Sequence, residues 1–203
     1  SFNTPDSVTL NSMRTKQGKS GKIDFSNKLK KGDLTVTKTS EDGLVEGIKF
    51  HLYGTSLGNI TVDEYATTNA NGVAEFKDIP IGAQFTLEEV ETAIRYVVPA
   101  KQNAVINWNE VTEQTVHNAL KKFSVVVTKS DIDTGTPQGD GSLAGATYGI
   151  YSDKACNNRV ASLTTDKNGN TDTVEIKAGT YYVKETTAPK GFKLDSTVHT
   201  LTV

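Results

Sequence analysis

The sequence predicts an all-β protein built as tandem β-sandwiches. Three observations predict it. Short stretches rich in Thr and Val alternate polar and apolar residues, the period of a half-buried strand. Gly-containing turn signals punctuate them at recurring positions. The chain also repeats itself in register after 91 residues, with Asn27 answered by Asn118 and Lys38 by Lys129.

The elements follow in order. Leu34-Thr35-Val36-Thr37-Lys38 and Val125-Val126-Val127-Thr128-Lys129 read as equivalent first strands, and Thr112–Val116 as a late strand. Asn71-Gly72 and Asn168-Gly169 are hairpin-type signals, because Asn and Gly tolerate a positive φ. No stretch carries an amphipathic helix pattern; Val62-Asp63-Glu64-Tyr65 reads as a short turn. About seven short strands per repeat point to a sandwich.

The repeat sets the expected boundaries. Phe50-His51-Leu52-Tyr53 answers Tyr148-Gly149-Ile150-Tyr151. Phe85-Thr86-Leu87-Glu88-Glu89 answers Tyr181-Tyr182-Val183-Lys184-Glu185. Lys38 comes eleven positions after Asn27, and Lys129 eleven after Asn118. Residues 33–120 make one complete unit, 1–32 read as the tail of an upstream unit, and 121–203 as a unit that lacks its last strand. The joints Lys28–Gly32 and Ala119–Lys122 are short and free of Gly/Ser runs, which predicts stiff connections.

Composition narrows the function classes. Lys and Arg number 22 against 24 Asp and Glu, a net charge of -2 with the signs well mixed, so no nucleic-acid partner is expected. No apolar run has the length of a membrane span. Cys156 is the single cysteine, so neither a disulfide framework nor a multi-thiolate metal site can form. His51, His117 and His199 show no ligand spacing, and Asp131-Ile132-Asp133-Thr134-Gly135 lacks a full Ca²⁺-coordinating series. No metal and no cofactor is expected. Trp108 reads as packing and Cys156 as a tolerated loop residue.

Strand parity singles out three polar residues. Side chains alternate between faces, so residues of equal parity share one. Lys38 continues the row Leu34–Val36, and Lys129 the row Val125–Val127. Glu89 continues Phe85–Leu87, and Glu185 continues Tyr181–Val183. Asn118 shares a face with Val116, and Asn27 with Ile23 and Phe25. Buried charges must pair, neutralise or react. A neutral Lys38 amine is a nucleophile. With a protonated Glu89 donating to the Asn118 carbonyl and shuttling protons, attack on the amide carbon would expel ammonia and leave an isopeptide bond. A plain buried Lys–Glu ion pair is the competing reading.

The stretch Tyr181-Tyr182-Val183-Lys184-Glu185-Thr186-Thr187-Ala188-Pro189-Lys190-Gly191-Phe192 resembles the Glu-containing box of the B-type repeat of Gram-positive collagen adhesins, the prealbumin-like domain of pilins. Leu143-Ala144-Gly145-Ala146 followed by Tyr148-Gly149-Ile150-Tyr151 is similar to that family's second strand region. The resemblance implies a reversed immunoglobulin-like sandwich with Lys on the first strand, Glu on a middle strand and Asn or Asp on the last. It implies a complete triad Lys38/Glu89/Asn118, a partial one in Lys129/Glu185, and an upstream acceptor in Asn27. The first unit departs from the box after Glu89, reading Val90-Glu91-Thr92-Ala93-Ile94-Arg95-Tyr96.

The function expected is a structural stalk segment of a cell-wall-anchored adhesin or pilin, extracellular on a bacterial surface. Its partners would be neighbouring domains of the same protein. Its only chemistry would be one self-crosslinking event per domain, not enzymatic turnover. The alternatives are a module that binds a host extracellular-matrix protein or glycan, and an accessory domain of a secreted enzyme.

Overall fold

The computed structural model describes residues 25–136 and 141–203. Most of the expected upstream tail, including Ile23, lies outside the described residues. Every regular element among the described residues is a strand.

Seven strands form the first unit: β1 (Lys31–Ser40), β2 (Lys49–Thr55), β3 (Thr61–Thr67), β4 (Val73–Pro80), β5 (Gly82–Val90), β6 (Gln102–Ile106) and β7 (Val111–Asn118). They divide into a three-stranded sheet, β4-β1-β7, and a four-stranded sheet, β3-β2-β5-β6. The two inner faces supply the core, in which Leu34, Val36, Phe50, Leu52, Phe85 and Ala104 have no exposed surface. The alternation of β1 is thereby realised: Leu34, Val36 and Lys38 point inward, while Thr37 and Thr39 face solvent. Val62–Tyr65 differs from the expected turn, lying in the middle of β3 with Val62 buried. There its β-branched and aromatic residues pair with β2.

Chain order places the first and last strands side by side. β7 runs parallel to β1, with Lys38 opposite Val116 and Ser40 opposite Asn118. A parallel pair needs a long crossover, and here the remaining strands of the unit provide it. β6 and β7 belong to different sheets and are tied by polar side chains. Thr112 donates to the Val105 carbonyl at 2.8 Å, Gln114 to that of Asn103 at 2.8 Å, and Gln102 to that of Thr115 at 3.0 Å.

Asn71-Gly72 forms a turn, though not a hairpin within one sheet: it carries the chain from β3 to β4, across the sandwich. Asn69 holds it, its side-chain oxygen accepting from the backbone N–H groups of Asn71 and Val73. Asp166 plays the same part before Gly169, accepting from Asn168 and Asn170. Gly72 has φ of 76° and Gly169 of 81°. Each also offers its carbonyl, at 2.7 Å, to the backbone N–H of its unit's inward lysine, Lys38 or Lys129. The turn pins the strand that carries the amine.

The second unit holds β8 (Lys122–Val125), β9 (Thr147–Tyr151), β10 (Arg159–Thr164), β11 (Val174–Lys177), β12 (Thr180–Thr187) and β13 (His199–Thr202). Sheet β10-β9-β12-β13 corresponds to β3-β2-β5-β6, while β11-β8 corresponds to β4-β1. Phe50 pairs with Glu89 in the first unit, and Tyr148 with Glu185 in the second, so the repeat extends to register. On the far edge of β8, where β1 has β7, no strand pairs among the described residues. β8 is accordingly shorter than β1, and Val125, Val127 and Lys129 are half-buried instead of buried.

The joint between the units is hydrogen-bonded throughout. Val97 donates to the Ala119 carbonyl at 2.9 Å, Lys121 to that of Arg95 at 2.8 Å, and Ala178 to that of Lys121 at 2.7 Å. Glu41 bridges across it, taking the Lys177 ammonium at 2.9 Å and the Leu120 N–H at 2.8 Å.

A Cβ on Gly72 would lie 2.8 Å from the Lys38 carbonyl oxygen, on a backbone whose φ disfavours L side chains. Gly72→Ala is expected to destabilise the first unit by roughly 1–3 kcal/mol, read as a lower urea midpoint.

Candidate functional site

Lys38, Glu89 and Asn118 meet inside the first unit. β1 supplies Lys38 and adjacent β7 supplies Asn118, two positions beyond the lysine's register partner on the same face. β5 supplies Glu89 from the opposite sheet. The Lys38 and Glu89 side chains are 0% and 1% exposed, and Asn118 is fully buried. Asn118 Nδ2 donates to Glu89 Oε1 at 2.8 Å. Lys38 Nζ lies 3.8 Å from Glu89 Oε2 and donates to the Thr39 carbonyl at 2.6 Å.

The polar accounting is incomplete. Glu89 Oε2 and Asn118 Oδ1 are buried with no hydrogen-bond partner among the described residues. Each such group costs about 1–3 kcal/mol. Burial pulls the Lys38 amine below its ordinary pKa, and the nearby Glu89 and Asp42 carboxylates only partly oppose this. The arrangement differs from the sequence expectation in one respect: Glu89 touches the amide nitrogen of Asn118, not its carbonyl. The amide nitrogen is the group of Asn118 with hydrogens to give, and a carboxyl oxygen accepts one.

Beside the trio sits a second cluster that parity could not find. Tyr96 is 1% exposed. It donates to Asp42 Oδ1 at 2.5 Å, while Arg95 reaches Asp42 Oδ2 at 2.8 Å and the Tyr96 hydroxyl at 2.9 Å. Burial works to raise the Asp42 pKa. Hydrogen bonds from Tyr96, Arg95, the Leu44 N–H and Ser40 outweigh it and hold the carboxyl well below the usual carboxylate range. Burial, and then the bond to Asp42, pushes the Tyr96 hydroxyl up. The seven-residue step from Glu89 to Tyr96, repeated from Glu185 to Phe192, is the sequence signal for this position.

In the second unit Lys129 Nζ lies 3.1 Å from Glu185 Oε1, with side chains 14% and 2% exposed. Glu185 Oε2 accepts the Asp195 N–H at 2.8 Å, and the Tyr148 hydroxyl lies 3.4 Å from Oε1. Burial, then the Glu185 charge, pushes Tyr148 up to about 12. No strand pairs with β8 where β7 carries Asn118 in the first unit, among the described residues. A cleft of about 450 Å³, lined by Lys129, Tyr148, Glu185, Asp195 and His199 among others, occupies the place. Asn27 is brought near none of these residues. It is exposed, and Phe25 is 78% exposed, both outside any strand. Parity tells which residues share a face, not whether anything covers that face.

His51 lies 2.6 Å from Asp63 and 3.4 Å from Glu88. No group of three His, Cys, Asp or Glu among the described residues is placed to hold a metal ion. No helix among them is long and apolar enough to cross a membrane.

Two stacked sheets with the first and last strands adjacent, and a Lys–Glu pair recurring in register, define a tandem prealbumin-like sandwich protein. The chain belongs to the SpaA family of prealbumin-like fold domains, whose profile matches residues 32–120 and again residues 123–203. Over 94 residues, 46% of this chain, it is 29% identical to the trypsin-resistant surface T6 protein of Streptococcus pyogenes serotype M6, and covers 16% of that protein's length. Its fold is similar to that of the Bacillus anthracis TIE protein, with a TM-score of 0.68 and 24% identity over 85% of this chain and 31% of that one. The major pilin subunit of Bacillus cereus superposes more loosely, with a TM-score of 0.39 and 12% identity over 86% of this chain and 95% of that one.

The native-state pKa of Asp42 is depressed, so its contribution to stability is complete above the unfolded value of about 4 and is lost as pH falls towards the native one. Stability should therefore decline on acidification below about pH 4, and Asp42→Asn should flatten that part of the curve while lowering the plateau. Urea midpoints across the acid range measure both.

Proposed function

We propose that this chain is a stalk segment of a cell-wall-anchored Gram-positive adhesin or pilin, toughened by a self-formed isopeptide bond. Residues 33–120 are the complete crosslinked unit. Residues 121–203 contribute a second unit whose acceptor strand is not among them, and residues 1–32 belong to an upstream one. One observation carries the reading. An amine, a carboxyl and an amide are sealed together in an apolar core, with an amide oxygen and a carboxyl oxygen left unpaired. A plain ion pair does not account for the Asn118 amide oxygen buried beside it without a partner.

The chemistry follows from the geometry. Desolvation favours the neutral amine of Lys38, whose lone pair attacks Asn118 Cγ. A C–N bond forms, and the bond from Cγ to Nδ2 breaks. Glu89, already 2.8 Å from that nitrogen, passes the amine proton to it, and ammonia departs. Folding supplies the proximity, worth roughly 7–11 kcal/mol to such a step. Each unit reacts once, so the protein is not a catalyst with turnover.

The bond suits a load-bearing role. Tension enters β1 at Lys31 and leaves β7 at Asn118. A Lys38–Asn118 link carries it directly from one strand to the other and bypasses the 79 residues between. Partners are then the neighbouring domains of the same surface protein, which the hydrogen-bonded joint after Asn118 resembles in kind.

The intact mass should fall one ammonia short of the sequence mass, and a tryptic digest should yield a branched peptide joining Lys38 and Asn118. A mass equal to the unmodified chain would overturn the reading. Glu89→Gln should leave the chain at full mass. Asn118→Ala should remove a closed loop worth roughly 4–5 kcal/mol by the loop-entropy relation used for disulfides, seen as a lower Tm, and should make the unit extensible under force.

A further inference from the structure

The end of β1 meets two opposed demands. Lys38 Nζ must give up a proton before its lone pair can attack Asn118 Cγ, yet the loop just beyond it carries a carboxylate. We propose that Arg95 is a positioning residue for formation of the Lys38–Asn118 bond: paired with Asp42, it cancels the charge that would otherwise hold Lys38 as an ammonium. The inference rests on the crosslink proposed above and adds to it a residue outside the trio.

The Asp42 carboxylate has structural work at this place. It accepts from Ser40 Oγ at 3.1 Å and from the Leu44 N–H at 3.3 Å, which shapes the loop after β1. It also accepts from the Tyr96 hydroxyl at 2.5 Å and from Arg95 Nε at 2.8 Å, which fastens that loop to the segment after β5. Both fastened pieces grip the strand end that carries the acceptor. From the loop, the Glu41 N–H donates to the Asn118 carbonyl at 3.1 Å. From the segment, the Val97 N–H donates to the Ala119 carbonyl at 2.9 Å, and the Arg95 carbonyl accepts the Lys121 N–H at 2.8 Å. Asp42 thus ties together the two pieces that hold Asn118 in place.

The same carboxylate works against the amine. The Lys38 side chain has no exposed surface. The charged groups that face it are Glu89 from β5 and Asp42 from the loop after β1, and β7 offers the uncharged amide of Asn118. Burial lowers the Lys38 pKa, and Glu89 and then Asp42 pull it back up. Glu89 carries the proton and is needed at the site. Asp42 takes no part in the transfer, so its charge can be cancelled without loss. Arg95 is fixed for that purpose. Its guanidinium also donates to the Tyr96 hydroxyl at 2.9 Å and lies 4.4 Å from the centre of that ring, and the ring itself is buried. An arginine keeps its charge where a lysine or histidine can lose it.

The second unit lacks the whole arrangement. The repeat of 91 residues carries Asp42 onto Asp133, which makes no ion pair among the described residues. Arg95 comes six positions after Glu89, and the sixth position after Glu185 is Gly191. The guanidinium therefore accompanies the acid that is bound at the end of β1, and is absent where no acid is bound in that way.

The test follows the whole 203-residue chain, isolated unfolded in urea at full mass and refolded by dilution into buffers from acid to alkaline. Circular dichroism follows folding, and intact mass gives the rate of ammonia loss at each pH. The rate should rise with pH as the folded Lys38 loses its proton. Arg95→Gln should move that rise to higher pH by about one unit, the low end for a single neighbouring charge, because the Asp42 and Arg95 side chains are 28% and 39% exposed. Asp42→Asn should move it to lower pH, and the double variant should return it close to the wild-type position. Arg95→Lys keeps the charge and should leave the rise where it was. Asp42→Asn tests the same charge from the other side, so the outcome does not depend on Arg95→Gln folding well. Slower loss at every pH with the rise unmoved is what structural damage alone would give, and it would overturn the proposal. A rise moved to higher pH by Asp42→Asn would overturn it too. A wild-type chain that folds and keeps its full mass at every pH would overturn the crosslink itself, and this proposal with it. A wild-type chain that loses ammonia while both single variants share its pH profile would overturn this proposal alone.

Discussion

The burial of one amine organises the first unit. Lys38 continues a strand face whose other members, Leu34 and Val36, have no exposed surface. An ammonium in that position costs several kcal/mol in desolvation unless something compensates it. Glu89 is aimed at it from the opposite sheet, and Asn118 from the adjacent strand. The Gly72 turn locks its backbone. The sandwich holds three polar groups in a place where polar groups are unfavourable. Their burial excludes the water that would otherwise screen the groups from one another.

The parallel pairing of β1 and β7 is the second constraint. It places the first and last strands of the unit side by side. The same pairing puts Ser40 and Asn118 together at one pole, where Glu41 and the Ala119–Lys121 segment build the joint. The Lys38–Glu89–Asn118 trio and the joint between the units are therefore adjacent. The Asp42–Arg95–Tyr96 cluster stands between them and braces the loop after β1 against the segment after β5.

The two units make a comparison within one chain. Glu185 and Tyr148 keep the register of Glu89 and Phe50, and Gly169 holds Lys129 as Gly72 holds Lys38. What differs is the neighbour on the far edge. With β7 present, β1 extends over ten residues and its lysine is sealed. Where none pairs among the described residues, β8 spans four residues and Lys129 remains partly open. β7 thus both supplies the amide and completes the dry environment around the amine. Membership of the SpaA prealbumin-like family fits this dependence of one strand on another.

Much of this was legible in the residues themselves. Strand parity with a 91-residue repeat determined that Lys38, Glu89 and Asn118 face inward, because the period of two is a property of the extended chain alone. The glycines at 72 and 169 announced turns for an equally local reason, their tolerance of positive φ. Only the tertiary structure decided that these turns cross between sheets, that β3 runs through Val62–Tyr65, and that Glu89 meets the nitrogen of Asn118 instead of its oxygen. It also decided that Phe25 and Asn27 stand exposed while the side chain of Asn118 is sealed. Periodicity sorts side chains onto faces, but coverage of a face is set by strands distant in sequence. Hydrogen-bond polarity is set by which atoms the packing brings within 3 Å of one another.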